Sequence, residues 1–295
     1  MALQVIPADA APPDFGAVVT GVDLRQPLRP EDRARIEQAI DRYAVLVFRD
    51  QDITNEQQLA FTREFGDLEP FFNVPGDNVQ LGRIPVEIND VSNLDRDGKP
   101  LPRDDRQRLF QLGNLLWHSD SSYKPVPAKF SILLARAIPD RGGDTEFADM
   151  RAAWDTLDPE TQALVRDLVC EHSRLYSRGA LGFTFTPEEE RKFAPVRQRL
   201  VRRHPVTGRL SLYLSSHGGA IVGWPLPEAR ALLRELTEHA TQRERVYAHK
   251  WRRFDLVVWD NRVTMHRGKR YPADQPRDIR RTTTTDAAPT LQQAA

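Results

Sequence analysis

Short β-type segments stand at both ends of this 295-residue chain, with amphipathic helices inserted between them. This distribution, more than any other feature, limits what the chain can fold into. Residues 16–24 and 44–48 read as strands, and strands resume near 115–122 and 129–137. The last third is strand-like at 210–215, 245–251, 255–260, 263–267 and 278–285. Helical spacing appears at 30–43, where Ile36, Ala39, Ile40 and Tyr43 share a face behind Pro30. A Thr54/Gln57 capping box opens a second helix that Gly66 is expected to end. Further helices are expected at 150–156, 159–169, 187–193 and 227–241. A doubly wound sheet would need strand and helix to alternate along the chain. The expected fold is therefore mainly β with helical insertions: a double-stranded β-helix, or jelly-roll, cupin-like core. No linker divides the chain, so residues 1–295 are expected to form one domain. Residues 1–15 and 287–295, rich in Ala, Pro and small polar residues, are expected to be poorly ordered.

Charge and cysteine count narrow the function. The chain has 42 Lys and Arg against 42 Asp and Glu, so it lacks the basic surplus of a nucleic-acid or acidic-membrane binder. No apolar run is long enough for a membrane span, and the N-terminus does not read as a secretory leader, so a cytoplasmic location is expected. One cysteine, Cys170, allows neither an intrachain disulfide nor a cysteine metal cage. With seven histidines, a catalytic metal would lean on imidazole and carboxylate donors.

Four short stretches carry candidate chemistry. In Trp117-His118-Ser119-Asp120, a strand would aim His118 and Asp120 at one point. A His-x-Asp pair is common by chance, and alone it proves little. His266 lies 148 residues further on, a separation a jelly roll closes across its barrel; read alone it is equally a core histidine. If the three meet, two imidazoles and a carboxylate form a facial triad suited to non-haem Fe(II), with three positions left open. Arg277 and Arg281 share a strand face with Ile279, unless Arg280 is the inward residue instead. Inward arginines are costly unless each meets an anion, and guanidinium pairs carboxylate in a bidentate way. Gly142-Gly143-Asp144-Thr145 reads first as a turn, with a Thr145 hydroxyl able to donate to a carboxylate.

Taken together, these pieces resemble the taurine/2,4-dichlorophenoxyacetate dioxygenases, and among them the aryloxyacetate branch. The resemblance rests on Leu-Trp-His-Ser-Asp-Ser-Ser-Tyr (116–123), Gly-Gly-Asp-Thr-Glu-Phe-Ala-Asp-Met-Arg-Ala-Ala (142–153) and His-Pro-Val-Thr-Gly-Arg (204–209). It rests also on Val-Trp-Asp-Asn-Arg (258–262), Met-His-Arg-Gly (265–268), and arginines 11 and 15 residues after His266. It implies an enzyme that uses Fe(II), O2 and 2-oxoglutarate as co-substrate. It implies His118, Asp120 and His266 as metal ligands, Thr145 and Arg277 on the far carboxylate of 2-oxoglutarate, and Arg281 on the substrate anion. Lys99 would add a substrate contact, Asn73 stands where the branch has a second lysine, His217 matches a histidine near the pocket, and Asn114 would line it. The loop at 73–105, with Phe71 and Phe72 at its start, would fold over the pocket.

The implied partner is a small carboxylate, such as 2,4-dichlorophenoxyacetate, converted to a phenol and glyoxylate while 2-oxoglutarate becomes succinate and CO2. A homo-oligomer stays open. Three rivals remain at this point. One is a related dioxygenase for a sulfonate, alkyl sulfate or 2-aryloxypropionate. Another is a jelly-roll protein that only binds a small acid. A zinc hydrolase built on the same triad would leave Arg277 and Thr145 without a role.

Overall fold

The computed structural model describes residues 2–69 and 84–293. The strands, in chain order, begin with β1 (Gln4–Pro7), β2 (Ala17–Thr20), β3 (Val45–Phe48), β4 (Asn89–Asp90) and β5 (Ala128–Ala137). Next come β6 (Thr145–Asp149), β7 (Val169–His172), β8 (Val196–Arg199), β9 (Val201–Arg203) and β10 (Leu210–Leu212). The last are β11 (Gly218–Ile221), β12 (Val246–His249), β13 (Leu256–Asp260), β14 (Thr264–Gly268) and β15 (Asp278–Thr285). The larger sheet has the order β1-β2-β3-β13-β5-β15-β4, and a smaller one the order β12-β6-β14.

Alternation along the strands explains the layering. Val45, Val47, Leu133, Val257 and Trp259 of the larger sheet point inward and meet Phe147 and Tyr247 of the smaller. The intervening residues Leu46, Phe48, Ile132 and Val258 point outward, where Ile36, Ile40 and Tyr43 of helix α1 (Pro30–Tyr43) and Phe61 of α2 (Asn55–Arg63) cover them. Both faces of β3 are thus buried, which is why Val45–Phe48 has no polar side chain. The smaller sheet is covered on its outer face as well. Ala148 and Met265 pack against Met150, Ala153, Leu233 and Leu236, which lie on the helices Met150–Asp155 and Leu226–Ala240. The result is a jelly-roll sandwich between two helical layers. Among the described residues no helix is long and apolar enough to cross a membrane.

Several sequence expectations need correction. Residues 2–15 do not fray, because β1 pairs antiparallel with β2 and Leu3 and Phe15 are fully buried. Residues 287–293 are also held: Thr290 is buried, and its hydroxyl donates to Gln198 Oε1 at 2.6 Å. Helix α2 ends at Arg63, before Gly66, though the capping box is present. The helix from Pro159 stops at Val165; residues 166–168 turn, and Val169 begins β7. Residues 115–122 form no regular strand. A 3-10 turn covers Leu112–Leu115, and His118 makes a single antiparallel bridge to His266. Asn73, Phe71 and Phe72 lie outside the described residues.

Candidate active site

That single bridge creates the site. His118 N–H donates to His266 O at 2.9 Å, and His266 N–H donates back to His118 O at 2.8 Å. Exchanging both bonds sets the two side chains on one face, with ring centroids 4.1 Å apart. The chain then turns, with Ser121 at φ 52°, and Asp120 swings to the same point. The donor atoms of His118, Asp120 and His266 all lie within 4.8 Å of one another, and all three residues are buried. Asp120 approaches His118 Nε2 at 3.9 Å and His266 Nε2 at 3.8 Å.

The protonation of this cluster suits a divalent cation. His118 Nδ1–H donates to Leu116 O at 2.7 Å, so its Nε2 carries a bare lone pair. Burial lowers the His118 imidazole to about 4, against partial compensation from Asp120. Burial, together with the neighbouring His118, also pushes His266 well below its usual value. Its buried Nδ1 has no hydrogen-bond partner among the described residues. Burial alone would raise Asp120, but the Arg281 guanidinium, both imidazoles and the Ser131 hydroxyl outweigh it and hold the carboxyl well below its usual range. Two neutral imidazoles and one carboxylate fit an iron site, and the residues present match that donor set.

Asp120 is held by a directed set of bonds that sequence reasoning missed. Trp259 Nε1–H and the Asp120 backbone N–H both donate to Asn261 Oδ1, at 2.9 and 3.1 Å. Asn261 Nδ2 donates to Ser131 Oγ at 2.9 Å, which leaves the serine proton for Asp120 Oδ2 at 2.7 Å. Asn261 stands inside the Trp-Asp-Asn-Arg stretch, so its signal was visible; Ser131 on β5 had none.

The two histidines of the triad open onto a cavity of about 780 Å3, and Asp120 faces a smaller recess. Thr145, Arg277 and Arg281 all line the cavity, the two arginines as the strand alternation implied. Arg280 points to the opposite face, where it pairs with Asp278 and Asn55. Arg277 is buried over the Tyr271 ring, 5.4 Å from its centroid, and burial lowers its pKa. Its backbone N–H donates to Asn93 Oδ1 at 2.9 Å and its Nη1 to Val91 O at 3.3 Å, so the segment after residue 84 is laced to β15. Arg281 Nη1 donates to Asp120 Oδ1. Burial would lower the Arg281 guanidinium, but the Asp120 carboxylate beside it raises it.

The other expected contacts divide. Asn114 borders both the main cavity and a small polar recess of about 50 Å3 behind the triad. His217 lines that recess, its Nδ1 and Ser177 Oγ sharing a hydrogen bond of 2.9 Å, beside Tyr123, Arg174 and Arg178. Lys99 is not brought to the cavity. It is exposed at a turn whose ends are joined by Asp95 N–H to Lys99 O at 2.8 Å, with Gly98 at φ 77°. Its neighbours Pro100, Leu101 and Arg103 reach the wall instead.

Comparison with known proteins places these features. The sequence pattern of the taurine catabolism dioxygenase TauD, TfdA family matches residues 8–283. The chain is 44% identical, over 282 residues, to an alpha-ketoglutarate-dependent 2,4-dichlorophenoxyacetate dioxygenase of Cupriavidus pinatubonensis, spanning 94% of this chain and 96% of the relative. It is 38% identical, over 286 residues, to an (S)-phenoxypropionate/alpha-ketoglutarate-dioxygenase of Sphingobium herbicidovorans, spanning 94% and 92%. A crystal structure of AAD-2 in complex with Mn(II) and N-oxalylglycine superposes with a TM-score of 0.90 at 55% identity, covering 99% of this chain and all of that one.

Proposed function

The chain belongs to the taurine catabolism dioxygenase (TauD, TfdA) family, and we propose that within it the chain hydroxylates an aryloxyacetate such as 2,4-dichlorophenoxyacetate. It is an oxidoreductase that uses Fe(II), O2 and 2-oxoglutarate. The observation that carries the substrate reading is the pair of guanidinium groups, Arg277 buried and Arg281 partly buried, on one wall of the cavity beside the triad.

His118, Asp120 and His266 would hold the iron. Bound Fe(II), with 2-oxoglutarate giving up CO2 to become succinate, supplies the electrons that make O2 reactive toward a C–H bond. The protein's own residues then decide where the chemistry falls. Arg277 pairs the far carboxylate of 2-oxoglutarate, and Thr145 donates its hydroxyl to the same group. Arg281 already meets the Asp120 carboxylate through Nη1, and its buried Nε, with no partner among the described residues, is left to hold the substrate anion. Leu101, Leu112, Leu115 and Leu133 give the wall an apolar body for a flat ring. Asn114 and His217, at the recess beside Arg281, would adjust the anionic end. A substrate so pinned exposes the carbon between ether oxygen and carboxylate. Adding one oxygen atom there gives a hemiacetal, which breaks into a phenol and glyoxylate; the second oxygen atom goes to succinate.

A panel of aryloxyacetates, 2-aryloxypropionates, alkyl sulfates and sulfonates tests this. Succinate and phenol in equal amounts from the aryloxyacetates are expected. Succinate release with sulfonates or alkyl sulfates and none with aryloxyacetates would overturn the substrate class.

A further inference from the structure

We propose that Trp251 sets the polarity of the 2-oxoglutarate site: it occupies the acceptor side of the Thr145 hydroxyl and so commits that hydroxyl to donate into the cavity. The inference rests on the reading of Thr145 and Arg277 as contacts of the far carboxylate. It goes beyond that reading by giving a role to a residue that does not border the cavity.

The geometry is a short chain of buried groups behind Thr145. In the β12–β6 pair, His249 lies opposite Thr145, and Trp251 follows two residues later. Its Nε1–H reaches Thr145 Oγ1 at 3.0 Å. An indole N–H can only donate, and a threonine hydroxyl has one proton and two lone pairs. One lone pair is therefore taken from behind, while Thr145 Oγ1 donates its proton to no described residue. Thr145 lines the cavity together with Arg277. A hydroxyl free to rotate could instead turn its proton to a nearby carbonyl and present a lone pair to a bound carboxylate, which would repel it. The indole removes part of that freedom.

The indole is itself held. The His249 ring meets it edge to face, with centroids 4.6 Å apart and planes at 88°. His249 Nε2 stands 3.2 Å from Asp255 Oδ2, which also accepts from Arg252 N–H at 2.8 Å and pairs with Arg49. Trp251, His249 and Asp255 are all buried. Trp251 is thus a positioning residue, acting through Thr145.

The test is calorimetric binding of 2-oxoglutarate to the full chain loaded with Mn(II), without O2. Trp251→Phe keeps an aromatic ring and removes the donor. A loss of about five- to tenfold in 2-oxoglutarate affinity is expected, with Mn(II) affinity unchanged. Thr145→Val should lose at least as much. In the Thr145→Val background, Trp251→Phe should cost nothing further, because the hydroxyl it orients is gone. Incorporating 3-benzothienylalanine at position 251, which keeps both rings and lacks only the N–H, should reproduce the Trp251→Phe loss and guards against a folding defect.

If neither change at 251 alters 2-oxoglutarate affinity while Thr145→Val does, the inference fails and the reading of Thr145 survives. The same holds if the loss at 251 is equally large in both backgrounds. If Thr145→Val itself binds 2-oxoglutarate as the unaltered chain does, both fail.

Discussion

One wall of the cavity is built by strands and the other by loops and short helices. On the strand side, Thr145 of β6, His266 of β14, Arg281 of β15 and Arg277 just before β15 sit on hydrogen-bonded ladders, with Thr145 Oγ1 accepting from Trp251 and the Arg277 backbone N–H donating to Asn93. On the loop side, residues 91–115 deliver Val91, Leu101, Arg103, Leu112 and Leu115, with a 3-10 turn and a six-residue helix as their only regular structure. Metal and co-substrate are the same for every turnover and need donors fixed to fractions of an ångström. The substrate's apolar body needs shape, which a loop can change without disturbing a hydrogen-bond ladder. On the proposed reading, the wall that fixes the chemistry is built on strand ladders and the wall that selects the ring on loops.

The contrast can be broken most directly at the triad. His266→Ala removes a ligand from the strand side, and Mn(II) affinity should fall by more than about a hundredfold, with turnover lost. Retained tight binding, measured by competition with a chelator, would show that the three donors do not act on one ion.

Within the strand side, the proposed roles of the two arginines separate co-substrate from substrate. Removing one partner of a buried charge pair costs about 3–5 kcal/mol, so Arg277→Ala should weaken 2-oxoglutarate by roughly a hundredfold or more. Arg281→Gln should raise the substrate KM strongly and weaken 2-oxoglutarate less than Arg277→Ala does, with Mn(II) affinity measured alongside because Arg281 also donates to Asp120. Equal losses for both ligands in Arg281→Gln would erase the division of labour.

The smallest effect is expected on the loop side. Lys99→Ala, at an exposed turn, should change the substrate KM by less than about twofold. A large rise would mean that this turn closes over the bound substrate.

How much of this was legible in the sequence follows the same division. The strands that carry the site announced themselves by alternation, and the spacing of Arg277, Ile279 and Arg281 placed both guanidinium groups on the cavity wall. His118 and Asp120 converge as expected, but through a bridge and a turn, so the right pairing came from an incorrect local conformation. The bonds that hold those donors were hidden. Ser131 and Asn261 are 130 residues apart and meet only because β5 and β13 pair. Trp251 and Thr145 are 106 apart. Short-range periodicity reports which face a side chain takes, and says nothing of which distant polar group it will find there. Lys99 failed for a related reason. In an irregular segment no alternation fixes direction, and two turn bonds around Asp95 suffice to carry the side chain outward.

The order of strands in the larger sheet has a consequence for how the molecule is made. β13 lies between β3 and β5, although it is synthesised long after both. While a ribosome is still translating the middle of the chain, the slot for β13 stands open, with apolar strands exposed along both edges. The bridge that aligns His118 with His266 needs a still later segment. The proposed metal ligands therefore cannot come together before His266 has been made, and the facing edges of β3 and β5 stay unpaired until β13 emerges.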